Sequence, residues 1–184
     1  IWAKTTDSWC AREIYYGYGE FDSFNIWKIK GSDEQKWDVY DVNIKHIQKS
    51  SPGSPGYKVA QFRNNAILGK VNENVVYGVF GLWQQSINAS ISAPLEVMQK
   101  DDVKLGPAEI LTAIEDEKVQ SFAIEITDIK NDTISFELKD QKLINKTGGI
   151  IQGMSGSPII QQNKFVGAVT HMYVEKPTTG VGLM

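Results

Sequence analysis

A single cysteine, Cys10, stands in the chain, so no intrachain disulfide forms and the fold rests on burial and hydrogen bonding. Histidine is nearly as scarce, with His46 and His171 the only two. There is no CxxC pair and no HExxH run, so structural-zinc and metalloprotease sites have no support, and we expect no metal and no cofactor. No glycine-rich phosphate loop occurs, which removes the dinucleotide-binding class. No apolar run reaches the roughly 18 residues that a membrane-crossing helix needs. The first residues also lack the basic-then-apolar pattern of a secretory leader. A net charge of −3, from 19 basic and 22 acidic side chains, gives no electrostatic reason to expect nucleic acid or an anionic membrane as partner. The acidic cluster Glu115-Asp116-Glu117 has no histidine or second acidic group beside it and reads as a solvated turn.

What is present is strand-forming sequence. At 184 residues and 41% hydrophobic, the chain suits one compact domain or two small barrels sharing a cleft. Residues 1–30 are rich in aromatic and β-branched side chains, with Gly17 and Gly19 as turn signals, and predict two short strands around a loop. Residues 37–47 alternate as a strand that puts Val42, Ile44 and His46 on one face. SSPGSPG (50–56) reads as two Pro-Gly turns back to back, bracing a hairpin or corner. Residues 66–83 read as a hairpin with Asn72-Glu73-Asn74 at its tip, and Pro94–Val97 as a strand leading into the second half. Over 105–126, Ile110, Thr112 and Ile114 share one face and Phe122, Ile124 and Ile126 another, separated by the acidic turn as in a hairpin. A short helix is expected over 141–146, with Asp140 placed to cap it.

The most informative stretch is TGGIIQGMSGSPIIQQNKFVGAVTHM (147–172). Ser155 lies between Gly153-Met154 and Gly156, the way a chain presents a hydroxyl on a tight turn where successive N–H groups converge on an oxyanion. Read chemically, Ser155 is a nucleophile and the amides of Gly153 and Ser155 form its oxyanion hole. Read structurally, the same residues make a Gly/Ser/Pro hairpin leading into the buried strand Phe165–Val169.

That stretch, extended to TGGIIQGMSGSPIIQQNKFVGAVTHMYVEKPTTGVG, resembles the nucleophile region of the stage IV sporulation protein B serine peptidases, nearly residue for residue. Weaker blocks follow in the same order upstream, at SSPGSPGYKVAQF (51–62), YGVFG (77–81) and KLGPAEILTAIEDEKVQSFAIEI (104–126). The resemblance implies a mostly β, chymotrypsin-like double β-barrel with its active site between the barrels. It implies one peptidase domain over 1–184, with a first barrel over about 1–90 and a second, carrying the nucleophile loop, over 91–184. Family members carry a membrane segment and a PDZ domain ahead of the peptidase domain, and this chain reads as the peptidase domain alone. A protein or peptide substrate is implied, no nucleic acid, contact with a membrane only through parts outside this chain, and a location outside the cytoplasm, between the two membranes around the forespore.

The same resemblance assigns roles. The family's general-base histidine sits in a Leu-Gly-His-Gly context followed by an aspartate, which falls here on Tyr16-Gly17-Tyr18-Gly19 with Asp22 trailing. Position 18 is tyrosine. A serine hydroxyl is a poor nucleophile without a neighbouring base. A phenol, with a pKa of about 10 against about 6.5 for imidazole, stays protonated at neutral pH and accepts that proton badly. The orienting aspartate of the family falls on Asp140, which also suits the helix N-cap. Thr170, His171 and Met172 are implied to line the substrate cleft. His171 does not take the base's part in the family, and the strand-end His46 reads as packed or solvated. Two functions remain open: a sporulation-type serine endopeptidase, which the Ser155 turn favours, and a pseudopeptidase that binds a peptide or partner without turnover, which Tyr18 favours.

Overall fold

The computed structural model describes residues 8–11, 19–21, 24–28, 37–75, 78–83, 95–115 and 118–184. Alternation of apolar and polar residues builds the second half. In β7 (Gly106–Ala113), β8 (Val119–Lys130) and β9 (Thr133–Leu138), every second side chain points inward over most of the length. Phe122, Ile124 and Ile126 lie beside Ile134, Phe136 and Leu138 on the inward face of the barrel wall, all of them buried. The three strands pair in sequence order, with Ile110 opposite Phe122 and Ile126 opposite Phe136.

After β9 the order breaks. The chain crosses through α1 (Gln141–Thr147) and the loop bearing Ser155 before β10 (Pro158–Gln161), β11 (Lys164–Tyr173) and β12 (Lys176–Leu183). β12 pairs with β9 and β10 with β7, which closes a six-stranded barrel in the order β10-β11-β12-β9-β8-β7. Closure leaves no free edge in this sheet. A two-residue turn at Gln162-Asn163, both with positive φ, joins β10 to β11 in the geometry that suits a tight hairpin. β10 is buried along its whole length. The 95–104 segment runs alongside it: Gln161 is hydrogen-bonded to the amide and carbonyl of Lys104, and Met98 and Phe165 are joined backbone to backbone.

The first half is antiparallel as well. It contains β1 (Ser8–Ala11), β2 (Gly19–Phe21), β3 (Phe24–Lys28), β4 (Trp37–Gln48), β5 (Tyr57–Val75) and β6 (Gly78–Trp83), in one six-stranded sheet ordered β1-β6-β5-β4-β3-β2. The fold is mostly β with a closed six-stranded barrel, as the resemblance implied.

Several local expectations are corrected. Among the described residues of 1–30 there are three short strands, rather than two. The β4–β5 register slips between Ile44 and His46, so Ile44 and Ile47 are buried while His46 turns outward, and simple alternation fails there. β5 continues through Asn72-Glu73-Asn74 to Val75, with a register shift between Val71 and Glu73, so that triplet lies within a strand rather than at a hairpin tip. Only the first Pro-Gly pair is a turn: Ser51 and Ser54 exchange backbone hydrogen bonds around Pro52-Gly53, and Gly53 has φ 78°. Pro55-Gly56 leads on into β5. Val97 makes a single parallel bridge to Phe165 rather than a strand. The helix forms as expected, one residue longer. Asp116 and Glu117 lie outside the described residues.

On the barrel wall, Glu125 and Glu137 stand directly opposite each other on β8 and β9, a placement that would repel. Lys139 bridges them at 3.0 and 2.7 Å, and Lys176 adds a second contact of 2.7 Å to Glu137. These lysines, Lys139 first, hold the Glu137 carboxyl down to about 2. Because the folded state favours the ionised form, its contribution is complete above the ordinary carboxylate value of 4.5 and is lost as pH falls toward about 2. Glu137→Gln is therefore expected to flatten the acid side of the melting-temperature profile over that window. The effect is modest because the lysines are solvated. Equal acid slopes in the two proteins would contradict the arrangement.

Candidate active site

The site is built on the crossover between β9 and β10. Asp140 starts it: its backbone is extended, and Oδ1 accepts a hydrogen bond from the Leu143 amide at 2.9 Å, an N-cap that satisfies one of the helix's orphan donors. Leu143 and Thr147 bury one face of α1. The Thr147 hydroxyl donates to the Leu143 carbonyl at 2.9 Å and accepts from the Gly149 amide at 3.3 Å. Gly148 ends the helix in the left-handed region, at φ 75°.

From there to Ser157 the backbone groups can be accounted for one by one. The amide of Ile150 donates to Pro177, that of Gln152 to Gly56, that of Met154 to Ile151, that of Gly156 to Val169 and that of Ser157 to Met154. The amides of Ile151, Gly153 and Ser155 have no partner among the described residues. Pairing thus alternates along the loop, and the open donors come every second residue. Gly153, at φ 94°, and Gly156, at φ 85°, hold the turn on either side of Ser155. Met154 is completely buried in the barrel core, which anchors the loop from below and leaves Ser155 half-buried above it.

Ser155 Oγ lies 3.4 Å from the Thr170 carbonyl oxygen and donates to it. Thr170 is available because the β11–β12 register slips between Val169 and His171, which takes Thr170 out of the ladder. The Thr170 hydroxyl donates to the Val181 carbonyl at 3.0 Å. His171 Nδ1 lies 3.0 Å from that same hydroxyl oxygen. A hydroxyl has one hydrogen to give, so the ring nitrogen is the donor in this contact. Thr170 therefore meets Ser155 through its carbonyl and His171 through its side chain. His171 is exposed and Met172 half-buried, on the strand beside the Ser155 loop. A carbonyl holds a hydroxyl in place, but it takes no proton.

The structure thus brings Ser155, Gly153 and Thr170 together and sets His171 one residue away. Asp140 stands at the other end of the crossover as a helix cap. Tyr18 and Asp22 lie outside the described residues. His46 is exposed on β4. No group of three or more His, Cys, Asp or Glu converges as a metal would require among the described residues. No helix there is long and apolar enough to cross a membrane. Sequence reasoning missed the partners that grip the loop from the first half, Ser50, Gly56 and Lys58. The only available signal was the run of glycines, Gly56 and Gly148-Gly149, where backbones come too close for side chains.

A model of the SpoIVB peptidase S55 family matches residues 28–184. Among solved structures, the chain is similar to the serine protease of a human pathogenic astrovirus, at 11% identity and a TM-score of 0.47, over 97% of this chain and 88% of that one. It is also similar to the inactive form of the Rv3671c protease, at 14% identity and a TM-score of 0.46, over 97% of this chain and 83% of that one. No curated protein matches it.

The observed cap makes Asp140 separable by substitution. Asp140→Ala removes the acceptor for the Leu143 amide and is expected to cost about 1 kcal/mol of stability. Asp140→Asn keeps an acceptor and should cost only a few tenths. Chemical denaturation of the two variants checks this, and equal losses would mean that the carboxylate charge, rather than the cap, is what the fold uses.

Proposed function

The chain belongs to the SpoIVB peptidase S55 family, and from that membership we propose a serine endopeptidase domain in which Ser155 is the nucleophile and Tyr18 fills the general-base position, so that turnover is slow or absent. The observation that carries this reading is the pair of amides at Gly153 and Ser155 that have no partner among the described residues, on either side of a buried Met154 anchor. Buried backbone donors are almost always paired, and an oxyanion hole is a standing exception because its donors wait for substrate. In a working cycle the Ser155 oxygen attacks a peptide carbonyl, and the developing negative charge falls on an oxygen held by these two N–H groups. The proton leaving Ser155 needs an acceptor. Asp140 spends one oxygen on the helix cap, which leaves the other to orient an imidazole at position 18, were one present. Thr170, His171 and Met172 offer backbone to an extended peptide substrate. We place the reaction outside the cytoplasm, around the forespore, where the resemblance puts such peptidases.

A second reading has its own support. The Ser155 hydroxyl is engaged with the Thr170 carbonyl, and the base position holds a phenol. A pseudopeptidase with the same loop would bind an extended peptide or partner protein for signalling and not cleave it.

A fluorophosphonate directed at serine separates the two. The unmodified chain should label very slowly. Tyr18→His should raise labelling at Ser155 by orders of magnitude, since removing one member of a triad leaves only about 10³–10⁴-fold over water. Adding Ser155→Ala should abolish it. Rapid labelling of the unmodified chain, lost with Ser155→Ala, would reveal another base, with His171 the first to substitute. No labelling after Tyr18→His would remove position 18 from the base role.

A further inference from the structure

We infer that residues 50–58, the turn and strand start between β4 and β5, are the positioning brace of the nucleophile loop, with Ser50 its central residue; this rests on the reading of Ser155 as nucleophile. Ser50 is buried and grips the loop twice: its amide donates to the Thr147 carbonyl at 2.8 Å and its hydroxyl to the Ile150 carbonyl at 3.2 Å. Six residues on, the Gly56 carbonyl accepts from the Gln152 amide at 2.9 Å, and the Lys58 amide donates back to the Gln152 carbonyl at 3.1 Å. Tyr57 and Gln152 thereby form a parallel bridge, directly before Gly153. At the far end of the turn, the Gly53 amide donates to the Val174 carbonyl at 3.0 Å, which ties in the connection after the strand carrying Thr170–Met172.

The approach is as close as backbones allow. A Cβ on Gly148 would fall well inside contact distance of the Ser50 carbonyl oxygen, and one on Gly56 would strike the backbone of Gln48 and Ser50. The Lys58 side chain is 2% exposed and reaches the Thr112 hydroxyl on β7 at 3.2 Å, so the strand that holds Gln152 is itself fixed to the barrel.

These contacts hold the carbonyls of Thr147, Ile150 and Gln152 and the amide of Gln152. The open amides of Gly153 and Ser155 follow directly in the chain. Ser50 makes its contacts to the Thr147 and Ile150 carbonyls, not to Ser155. It acts through the backbone it grips, which sets where the two oxyanion donors point.

Amide hydrogen exchange on the chain as it stands tests this without requiring activity. Ser50→Ala removes one buried hydrogen bond and is expected to speed exchange over 147–157 by roughly tenfold, while 106–138 changes little. Ser50→Thr, which keeps the hydroxyl, should restore it. In the Tyr18→His chain, Ser50→Ala should lower the maximal fluorophosphonate labelling rate by roughly tenfold and leave the half-saturating concentration unchanged, because it displaces donors that act in the transition state. Equal loss of protection over 106–138, or none over 147–157, overturns the brace. Faster exchange with an unchanged labelling rate overturns the positioning role and makes Ser50 a structural anchor. If Tyr18→His fails to label, that failure belongs to the reading of Ser155 and Tyr18, and the exchange result still decides the brace.

Discussion

Ser155 sits where it does because the backbone just before it is held at contact distance on two sides. Gly148 lies against the Ser50 carbonyl and Gly149 against Pro177, each with no room for a Cβ. One neighbour lies in the connection between β4 and β5 and the other on β12, so the crossover loop is fixed by elements distant in sequence. Once the loop is held there, Met154 drops into the core and the next side chain must point away from it. The presentation of Ser155 is thus a consequence of packing upstream, and a larger residue at either glycine would cost the whole arrangement.

The same geometry separates two parts of catalysis that are often discussed together. Stabilising an oxyanion needs only fixed donors, and a rigid loop supplies them without any titratable group. Activating the hydroxyl needs a proton acceptor near neutral pH. Among the described residues, the group that meets Ser155 Oγ is the Thr170 carbonyl, which orders the hydroxyl and leaves it protonated. On the proposed reading, with a phenol at the base position, such a chain would recognise the shape of an acyl-transfer reaction more readily than run it.

Much of the second half was legible because its physics is local. Alternation along 105–126 gave the β7–β8 pairing, the aspartate before a short polar run gave the α1 cap, and the glycines around Ser155 gave the turn. Where the reading failed, the cause was non-local. The bulge that turns His46 outward depends on how β5 pairs with β4, and β5 continues through Asn72–Asn74 because β6 pairs with it there. The second Pro-Gly pair looked like a turn, but Gly56 is there for close approach to Gln48 and Ser50. The grip of Ser50 on Ile150 spans 100 positions, and no window of sequence contains both partners.

The central claim, that the amides of Gly153 and Ser155 form a waiting oxyanion hole, is tested most directly by a crystal structure of the chain phosphonylated at Ser155. The account predicts the phosphonyl oxygen within about 2.7–3.1 Å of both amide nitrogens, with the 147–157 backbone unmoved. A phosphonyl oxygen turned to solvent, with those amides unoccupied or paired elsewhere, would contradict it.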